Sequence, residues 1–349
     1  MNEIHAILND SLSHLFEGLV SPSLLDAAEK GSWPDALWQA IEAQGFASAL
    51  LPESAGGYGN SWHDFFFIVS ACGRFSLPAP LPETLIARWL LNQSGLEIPS
   101  GALTIACPQS ELQLTKTEGR WRLRGELQRV PFGRAASAVV LLLDIAGTLM
   151  VISVPTTGVE IRLGANLARE WRDTFIFAGD RVEAAPWPAG RWQPDVAVLG
   201  SLLRSAQIAG GLRAILELSV TYANDRRQFG KPIGKFQAIQ QNLAVLAAET
   251  AAANVAAENA FCAADHHDPA FLVACAKVRV AEATRKASAV AHQVHGAIGF
   301  TREYPLHWAT RRLAAWRAEF GSEHDWATRL GRQVVQCGTD GFWPQLSAE

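Results

Sequence analysis

The spacing of apolar residues changes twice along this chain, and that double change restricts the folds open to it. Up to about Gly101 apolar residues recur at helical intervals. Leu37, Ile41 and Phe46 follow Ser32-Trp33-Pro34-Asp35, where Ser32 is placed to cap a helix and Pro34 suits its first turn. The stretch Leu51-Pro52-Glu53-Ser54-Ala55-Gly56-Gly57-Tyr58-Gly59 breaks regular structure. Phe65 to Cys72 and Glu83 to Gln93 read as further helices, separated by Pro78, Pro80 and Pro82. From about Ala102 to Gly190 the period falls to two: Trp121-Arg122-Leu123-Arg124-Gly125 alternates, and Ala138 to Leu143, Leu149 to Val154 and Thr174 to Phe177 are short β-rich runs. From about Asp195 to Gln336 helical spacing returns in three long runs, Leu199 to Arg226, Ala238 to Cys262 and Pro269 to Gln293. The pattern predicts an α+β multidomain chain. Its parts are an N-terminal helical domain (1–101), a small β-barrel or sandwich (102–190) and a C-terminal four-helix-bundle-like domain (191–349).

Of the 349 residues, 49% are hydrophobic and 18% charged, which excludes disorder as the main state. Lys and Arg total 30 against 34 Asp and Glu, a net charge of -4 that argues against a dedicated nucleic-acid binder. Cys72, Cys107, Cys262, Cys275 and Cys337 stand far apart without a CxxC pair, which predicts free thiols in a reducing compartment. Met1-Asn2-Glu3-Ile4-His5 lacks the basic and apolar regions of a signal peptide. No apolar run approaches the ~18 residues of a membrane span, since Val139 to Leu143 ends at Asp144. A cytoplasmic location is expected.

Three clusters carry more chemistry than a core requires. Tyr222 to Ile233 lies where a long helix must end, because Gly230 and Pro232 cannot continue it. Within it Arg226 and Phe229, three apart, fall on one face if the helix persists. An Arg beside a ring can hold a phosphate while the ring packs on a heterocycle, although cations at a helix C-terminus also need no ligand to explain them. Gln293-Val294-His295-Gly296-Ala297-Ile298-Gly299-Phe300 permits close backbone approach, to a ligand or to a neighbouring helix. Arg311, Arg312, Arg317, Glu319, Glu323, His324 and Asp325 offer an acid–base set or a solvated helix face. His266 and His267, adjacent on a turn, are poorly placed to share a metal, and none is expected.

These motifs together resemble the acyl-CoA dehydrogenase family. The likeness is carried by Gly45-Phe46 through Pro52-Glu53 to Gly56-Gly57-Tyr58-Gly59, and by Val154-Pro155 through Gly158-Val159 to Thr174-Phe175 and Phe177. It continues in Arg226-Arg227-Gln228-Phe229-Gly230-Lys231-Pro232-Ile233 with Phe236-Gln237, and in Gln293 to Gly299 with Glu303-Tyr304-Pro305 and Arg311. The resemblance implies an FAD enzyme that removes hydrogen from Cα and Cβ of an acyl-CoA thioester, with the FAD shared across a subunit interface. It assigns cofactor contacts to Arg226, Phe229, Phe236, Gln237, Gln293, Gly296 and Ala297.

The likeness is uneven. The flavin-holding "T-E-P-x-A-G-S-D" stretch of the family is replaced by Thr104-Ile105-Ala106-Cys107-Pro108-Gln109-Ser110-Glu111, and the "W-I-T/S" segment by Arg129-Val130-Pro131-Phe132. Counting from Gln293, the family's usual base position falls on Phe320, with Glu319 one residue earlier. Its alternative position falls near Gly200. The residues that serve a neighbour's cofactor are kept while those that hold the chain's own flavin are eroded. This pattern resembles the shorter, base-lacking subunit of heterotetrameric acyl-CoA dehydrogenases, such as those acting on steroid side chains. The implied partners are a longer subunit of the same family, an acyl-CoA and an electron acceptor. Two alternatives stand beside it: a self-sufficient homomeric enzyme using Glu319 as a shifted base, and a non-catalytic binding member of the family.

Overall fold

A computed structural model describes residues 3–190 and 192–347. Five helices open the chain: α1 (Glu3–Leu19), α2 (Pro22–Glu29), α3 (Asp35–Ala43), α4 (Trp62–Arg74) and α5 (Leu81–Ser94). The strands β1 (Leu103–Ile105), β2 (Gln113–Thr117), β3 (Arg120–Pro131), β4 (Ala138–Ile145), β5 (Thr148–Pro155), β6 (Glu160–Arg162) and β7 (Arg172–Pro186) follow. Helix α6 (Val196–Asp225) leads into a short hairpin of β8 (Arg227–Gln228) and β9 (Lys231–Pro232). Then come α7 (Gln237–Ala264), α8 (Ala270–His295), α9 (Leu306–Trp316) and α10 (Glu323–Ser347). Among the described residues no helix is long and apolar enough to cross a membrane.

Local chemistry sets several of these boundaries. Ser61 and Asp64 form a reciprocal capping box at the start of α4. Asp265, from the far end of α7, accepts hydrogen bonds from the N–H groups of Trp62 (2.7 Å) and His63 (3.1 Å), so the first turn of α4 is held by two separate carboxylates. Ser32 does not cap α3. Pro34 takes that position, and it makes no side-chain cap hydrogen bond.

The strands run β1-β4-β5-β7-β3-β2, with β6 beside β7. Among the described residues only β1 and β4 pair in parallel. Strand β4 explains why its sequence reads as an unbroken apolar run. Ala138, Val140 and Leu142 face the helices, and Val139 and Leu141 face a second core with Leu123, Leu127, Ile152, Phe175 and Phe177. The sheet therefore curls over an apolar face of its own while its other face joins the helical core.

Helix α6 is the axis of the molecule. It packs on α4, α7, α8 and α9, and nearly every residue from Val196 to Leu212 is buried. It carries Gly200, Gly210 and Gly211 in its interior, each costing about 1 kcal/mol against Ala. Neighbours explain all three. A Cβ at Gly210 would overlap the carbonyl of Ser70 in α4, one at Gly211 would press on Leu313, and one at Gly200 would overlap the ring of Phe320. Gly73 of α4 stands in the reciprocal position, against the carbonyl of Gln207.

Gly73→Ala should therefore force α4 and α6 apart and destabilise by roughly 1–3 kcal/mol or more. Gly18→Ala, on α1 with no atom near its would-be Cβ, should be neutral or stabilising by about 0.5–1 kcal/mol. Thermal midpoints of the two variants measure the contrast. Equal midpoints would contradict the close approach of α4 and α6.

Candidate functional site

A cavity of about 810 Å³ opens between the sheet and the C-terminal helices. One wall comes from the end of β3 (Gln128, Arg129, Pro131) and the residues after β1. The opposite wall comes from the end of α9, the turn that follows it and the start of α10. Its floor is the carboxylate of Glu319.

That carboxylate is saturated. Arg172, at the start of β7, donates from Nε to Oε1 (2.8 Å) and from Nη2 to Oε2 (3.0 Å). Arg204 of α6 donates from Nε to Oε2 (2.7 Å), and Asn166 Nδ2 to Oε1 (3.0 Å). Burial alone would raise the Glu319 pKa, but the two guanidinium groups and the hydrogen bonds from Arg172 and Asn166 outweigh it and hold it at about 2. The cluster extends further. Arg204 also bonds Glu83 of α5 (2.7 Å) and Gln207, and Arg172 bonds Glu170 (3.1 Å). Glu170 accepts from Trp316 Nε1 (2.9 Å) and faces Arg312 (3.4 Å), while Arg311 reaches Glu29 of α2 (2.5 Å). Lys277 of α8, fully buried, donates to the carbonyls of Trp316 (3.1 Å) and Glu319 (2.7 Å). Burial foremost, and then Arg204, push its pKa down to about 7, against a smaller upward pull from Glu319.

The expected solvated helix face running from Arg311 through Glu319 to Asp325 needs correction here. Glu319 and Phe320 do not share a helix: α9 ends at Trp316, and Phe320 and Gly321 take positive φ values of 55° and 101° in the turn beyond. The direction of each side chain is thus set by the turn, with Glu319 toward the two arginines and the Phe320 ring against Gly200. Likewise Arg311 and Arg312 do not lie on a solvated face. Arg312 is 1% exposed, and both meet acidic partners from other elements. Asp325 stands apart from this cluster and accepts from the N–H (2.9 Å) and hydroxyl (2.7 Å) of Ser322.

At the far end of α6 lies a different surface. Arg226 is the C-cap of α6 in an extended conformation, so it and Phe229 do not share a helical face. They belong to the β8–β9 hairpin, which Ile233 N–H closes onto the Arg226 carbonyl (2.8 Å). Phe229 has a positive φ of 51° and is 92% exposed, with its ring edge-on to Phe236 at 6.2 Å. Gln237 begins α7, Gln293 lies exposed on the last turn of α8, and Gly296, with φ 64°, ends that helix, followed by exposed Ala297. Tyr222, one turn before Arg226, stacks on His295 at 4.7 Å, which brings the hairpin and the Gln293–Gly299 turn to the same end of the molecule. Among the described residues the side chains of Arg226, Arg227 and Gln293 have no hydrogen-bond or ion-pair partner.

Residues 199–334 match the family model described as "Acyl-CoA dehydrogenase, C-terminal domain". The acyl-CoA dehydrogenase IpdE2 of Mycobacterium tuberculosis is 28% identical over 315 residues, covering 87% of this chain and 89% of the relative. Over most of its length the chain is similar to acyl-CoA dehydrogenases, and its C-terminal part matches that family's C-terminal domain. Its fold matches a chain of the ChsE4-ChsE5 complex from Mycobacterium tuberculosis with a TM-score of 0.86 at 22% identity, covering 96% of this chain and 98% of that one. It also matches a chain of the Tcur3481-Tcur3483 steroid ACAD with a TM-score of 0.87 at 22% identity, covering 95% and 98%.

The cofactor of the acyl-CoA dehydrogenase family is FAD, and the two surfaces fit it unequally. The hairpin carries an unpaired guanidinium, Arg226, and an exposed ring, Phe229, which are groups of the kind that suit a pyrophosphate and a heterocycle. The cavity wall has little to offer a flavin ring. The Thr104 hydroxyl donates to the Pro131 carbonyl (2.7 Å), Pro131 has no N–H, and the Phe132 N–H donates to the Trp171 carbonyl (3.0 Å).

Sequence reasoning missed Arg172, Arg204, Glu83 and Lys277. The signal was present as charged residues inside apolar helical runs, Leu202-Leu203-Arg204 and Leu81-Pro82-Glu83 above all, which only a buried partner makes tolerable.

Glu319→Ala should cost roughly 3–5 kcal/mol, because it leaves Arg172 and Arg204 facing each other in the core. The pH dependence has a definite sign. The folded-state pKa of Glu319 lies below its unfolded value of about 4.3, so its contribution is complete above that value and is lost as pH falls toward about 2. Thermal midpoints followed from pH 6 downward should fall less steeply in Glu319→Gln than in the unsubstituted chain. Parallel curves would refute the assigned ion pairs.

Proposed function

We propose that this chain is the non-catalytic subunit of a heteromeric, FAD-dependent acyl-CoA dehydrogenase. It lends Arg226, Phe229, Phe236, Gln237, Gln293, Gly296 and Ala297 to FAD seated in a longer partner of the same family. The observation that carries this reading is the state of Glu319. A general base needs a free lone pair within about 3 Å of the substrate proton and a pKa near the working pH. Glu319 has neither, since two arginines and Asn166 occupy its oxygens and its pKa is about 2. The two positions where the family resemblance places a base, Phe320 and Gly200, meet each other as a ring against a bare Cα.

Distance supports the second half of the proposal. Gly200 borders the cavity end of α6 and Arg226 caps the other end, so at 1.5 Å per residue they lie about 40 Å apart. One dinucleotide cannot touch both in a single chain. The hairpin is therefore suited to a cofactor held elsewhere. When bound, FAD supplies the hydride acceptor for α,β-dehydrogenation; the part of this chain is to hold its anionic end with Arg226 and to shield it with Phe229. The ChsE4-ChsE5 complex and the Tcur3481-Tcur3483 steroid ACAD support an assembly of two kinds of chain and a bulky, steroid-type acyl-CoA as substrate. An external acceptor would take the electrons from that assembly.

The full chain alone should retain little flavin and reduce no dye with acyl-CoAs, and co-expression with the longer partner should give about one FAD per heterodimer. Arg226→Ala should weaken flavin retention by the complex by about 1.5–3 kcal/mol, the range for a hydrogen bond to a charged group, read as flavin absorbance after gel filtration. Unchanged flavin content would remove the hairpin from the site. Robust turnover by the isolated chain, abolished by Glu319→Gln, would establish the homomeric enzyme instead.

A further inference from the structure

We infer that the cavity of this chain is a ligand site in its own right, separate from dehydrogenation. Its ligand is an amphiphile with an apolar body and one carboxylate-like head, held by Arg129. The inference rests on the reading that this cavity does not perform the family's reaction.

The volume of about 810 Å³ lies within the range of small-molecule sites, about 300–1,000 Å³. The walls that a ligand body would meet are apolar: Leu167, Ala314, Ala318, Phe320 and Trp326. Leu167 is 66% exposed at the cavity, an apolar surface that a bound chain would cover. The charged lining groups are largely committed. Glu319 and Arg172 neutralise each other on the floor. Asp325 bonds Ser322, and Arg329 lies over the Trp326 ring at 5.0 Å with Asp195 at 3.5 Å.

Arg129 differs from all of these. It is exposed, lines the cavity, and has no hydrogen-bond or ion-pair partner among the described residues. Its backbone has a φ of 56° at the point where the β3–β7 register shifts, between Leu127 and Val130. A non-glycine residue in that region costs about 1–2 kcal/mol, and such bulges re-aim a side chain out of the regular ladder. An unpaired cation on strained backbone, at an apolar cavity whose other charges are satisfied, matches a single anionic head on an apolar body. A neutral ligand would leave Arg129 unused, and the further charges of a polyanion would find the other lining cations, Arg172 and Arg329, already facing carboxylates.

The test titrates dodecanoate and dodecanol into the full-length chain by calorimetry, alone and in complex with its partner. Dodecanoate should bind this chain saturably and about 10-fold or more tighter than dodecanol. Arg129→Gln should reduce dodecanoate to the dodecanol level, with the thermal midpoint and the flavin content of the complex unchanged. Ala314→Trp, which fills the cavity from an exposed helical position, should abolish binding of both. Equal affinity for acid and alcohol, indifference to Arg129→Gln, or binding that survives Ala314→Trp would each overturn the inference. So would flavin that occupies the cavity and competes with dodecanoate. Dye-reduction turnover by the isolated chain would instead overturn the proposed function, and the two failures are read by separate measurements.

Discussion

The carboxylate of Glu319 is gripped by guanidinium groups that arrive from different layers, Arg172 from the sheet and Arg204 from the central helix. Each arginine passes the connection on, Arg204 to Glu83 in the N-terminal helices and Arg172 to Glu170, which meets Arg312. No charge in this chain of contacts can be removed without stranding another. Burial opposes the ionised form of Glu319 and of Arg204 alike, and only their proximity keeps both charged. Replacing such a cluster wholesale with apolar residues of equal volume is often neutral or stabilising. We therefore read it as a device of registry, because apolar packing tolerates small shifts between layers and bidentate pairs between arginine and carboxylate do not. The steep cost expected on truncating Glu319 alone is the measurable face of that role.

The same cluster decides what the cavity can do. A carboxylate on the floor of a pocket invites the reading of an acid or a base. Chemistry of that kind needs a group whose two protonation states are close in energy near the working pH. Here the ionised state is stabilised by several separate donors, and Lys277 fixes the turn behind it by binding two carbonyls. The positive φ of Phe320 then turns the next side chain onto Gly200, where a helix without a Cβ leaves room for the ring. The geometry is consistent at every step with a floor that supports rather than reacts.

Much of the architecture was legible in the amino-acid sequence because it is written in periods. The change from helical to alternating spacing and back marks the sheet between two sets of helices, and strand β4 reads as continuous apolar because both of its faces are covered. The hairpin after Asp225 was visible as a stop signal in Gly230 and Pro232, yet its conformation was not. Spacing of three suggests a shared helical face for Arg226 and Phe229, and the chain has already left the helix at Arg226. The floor was the least legible part. Glu83, Glu170, Arg172, Arg204 and Glu319 are scattered over the whole sequence and share no local pattern, so only tertiary packing brings them together. The one available cue was energetic: an ionised residue inside an apolar helical run requires a buried counter-charge somewhere else.

Paired and unpaired charges thus divide the molecule by purpose. Inside, where water is absent, guanidinium groups meet carboxylates, and the cluster that joins helices to sheet has its charges balanced against one another. At the two ends of α6 this rule lapses: Arg129 at the cavity, and Arg226 with Arg227 at the hairpin, carry charge that no group of the chain answers among the described residues. Arg129, and Phe229 at the tip of the hairpin that carries Arg226 and Arg227, also sit on left-handed backbone, a strain that packing alone does not require of exposed residues. Unanswered charge is inexpensive in water and becomes strongly interacting once a ligand or partner excludes that water. On the proposed reading, the two open ends are where ligand and partner are recognised. The order of the chain keeps them about 40 Å apart along one rigid helix, so that what binds at one end need not compete for space with what binds at the other.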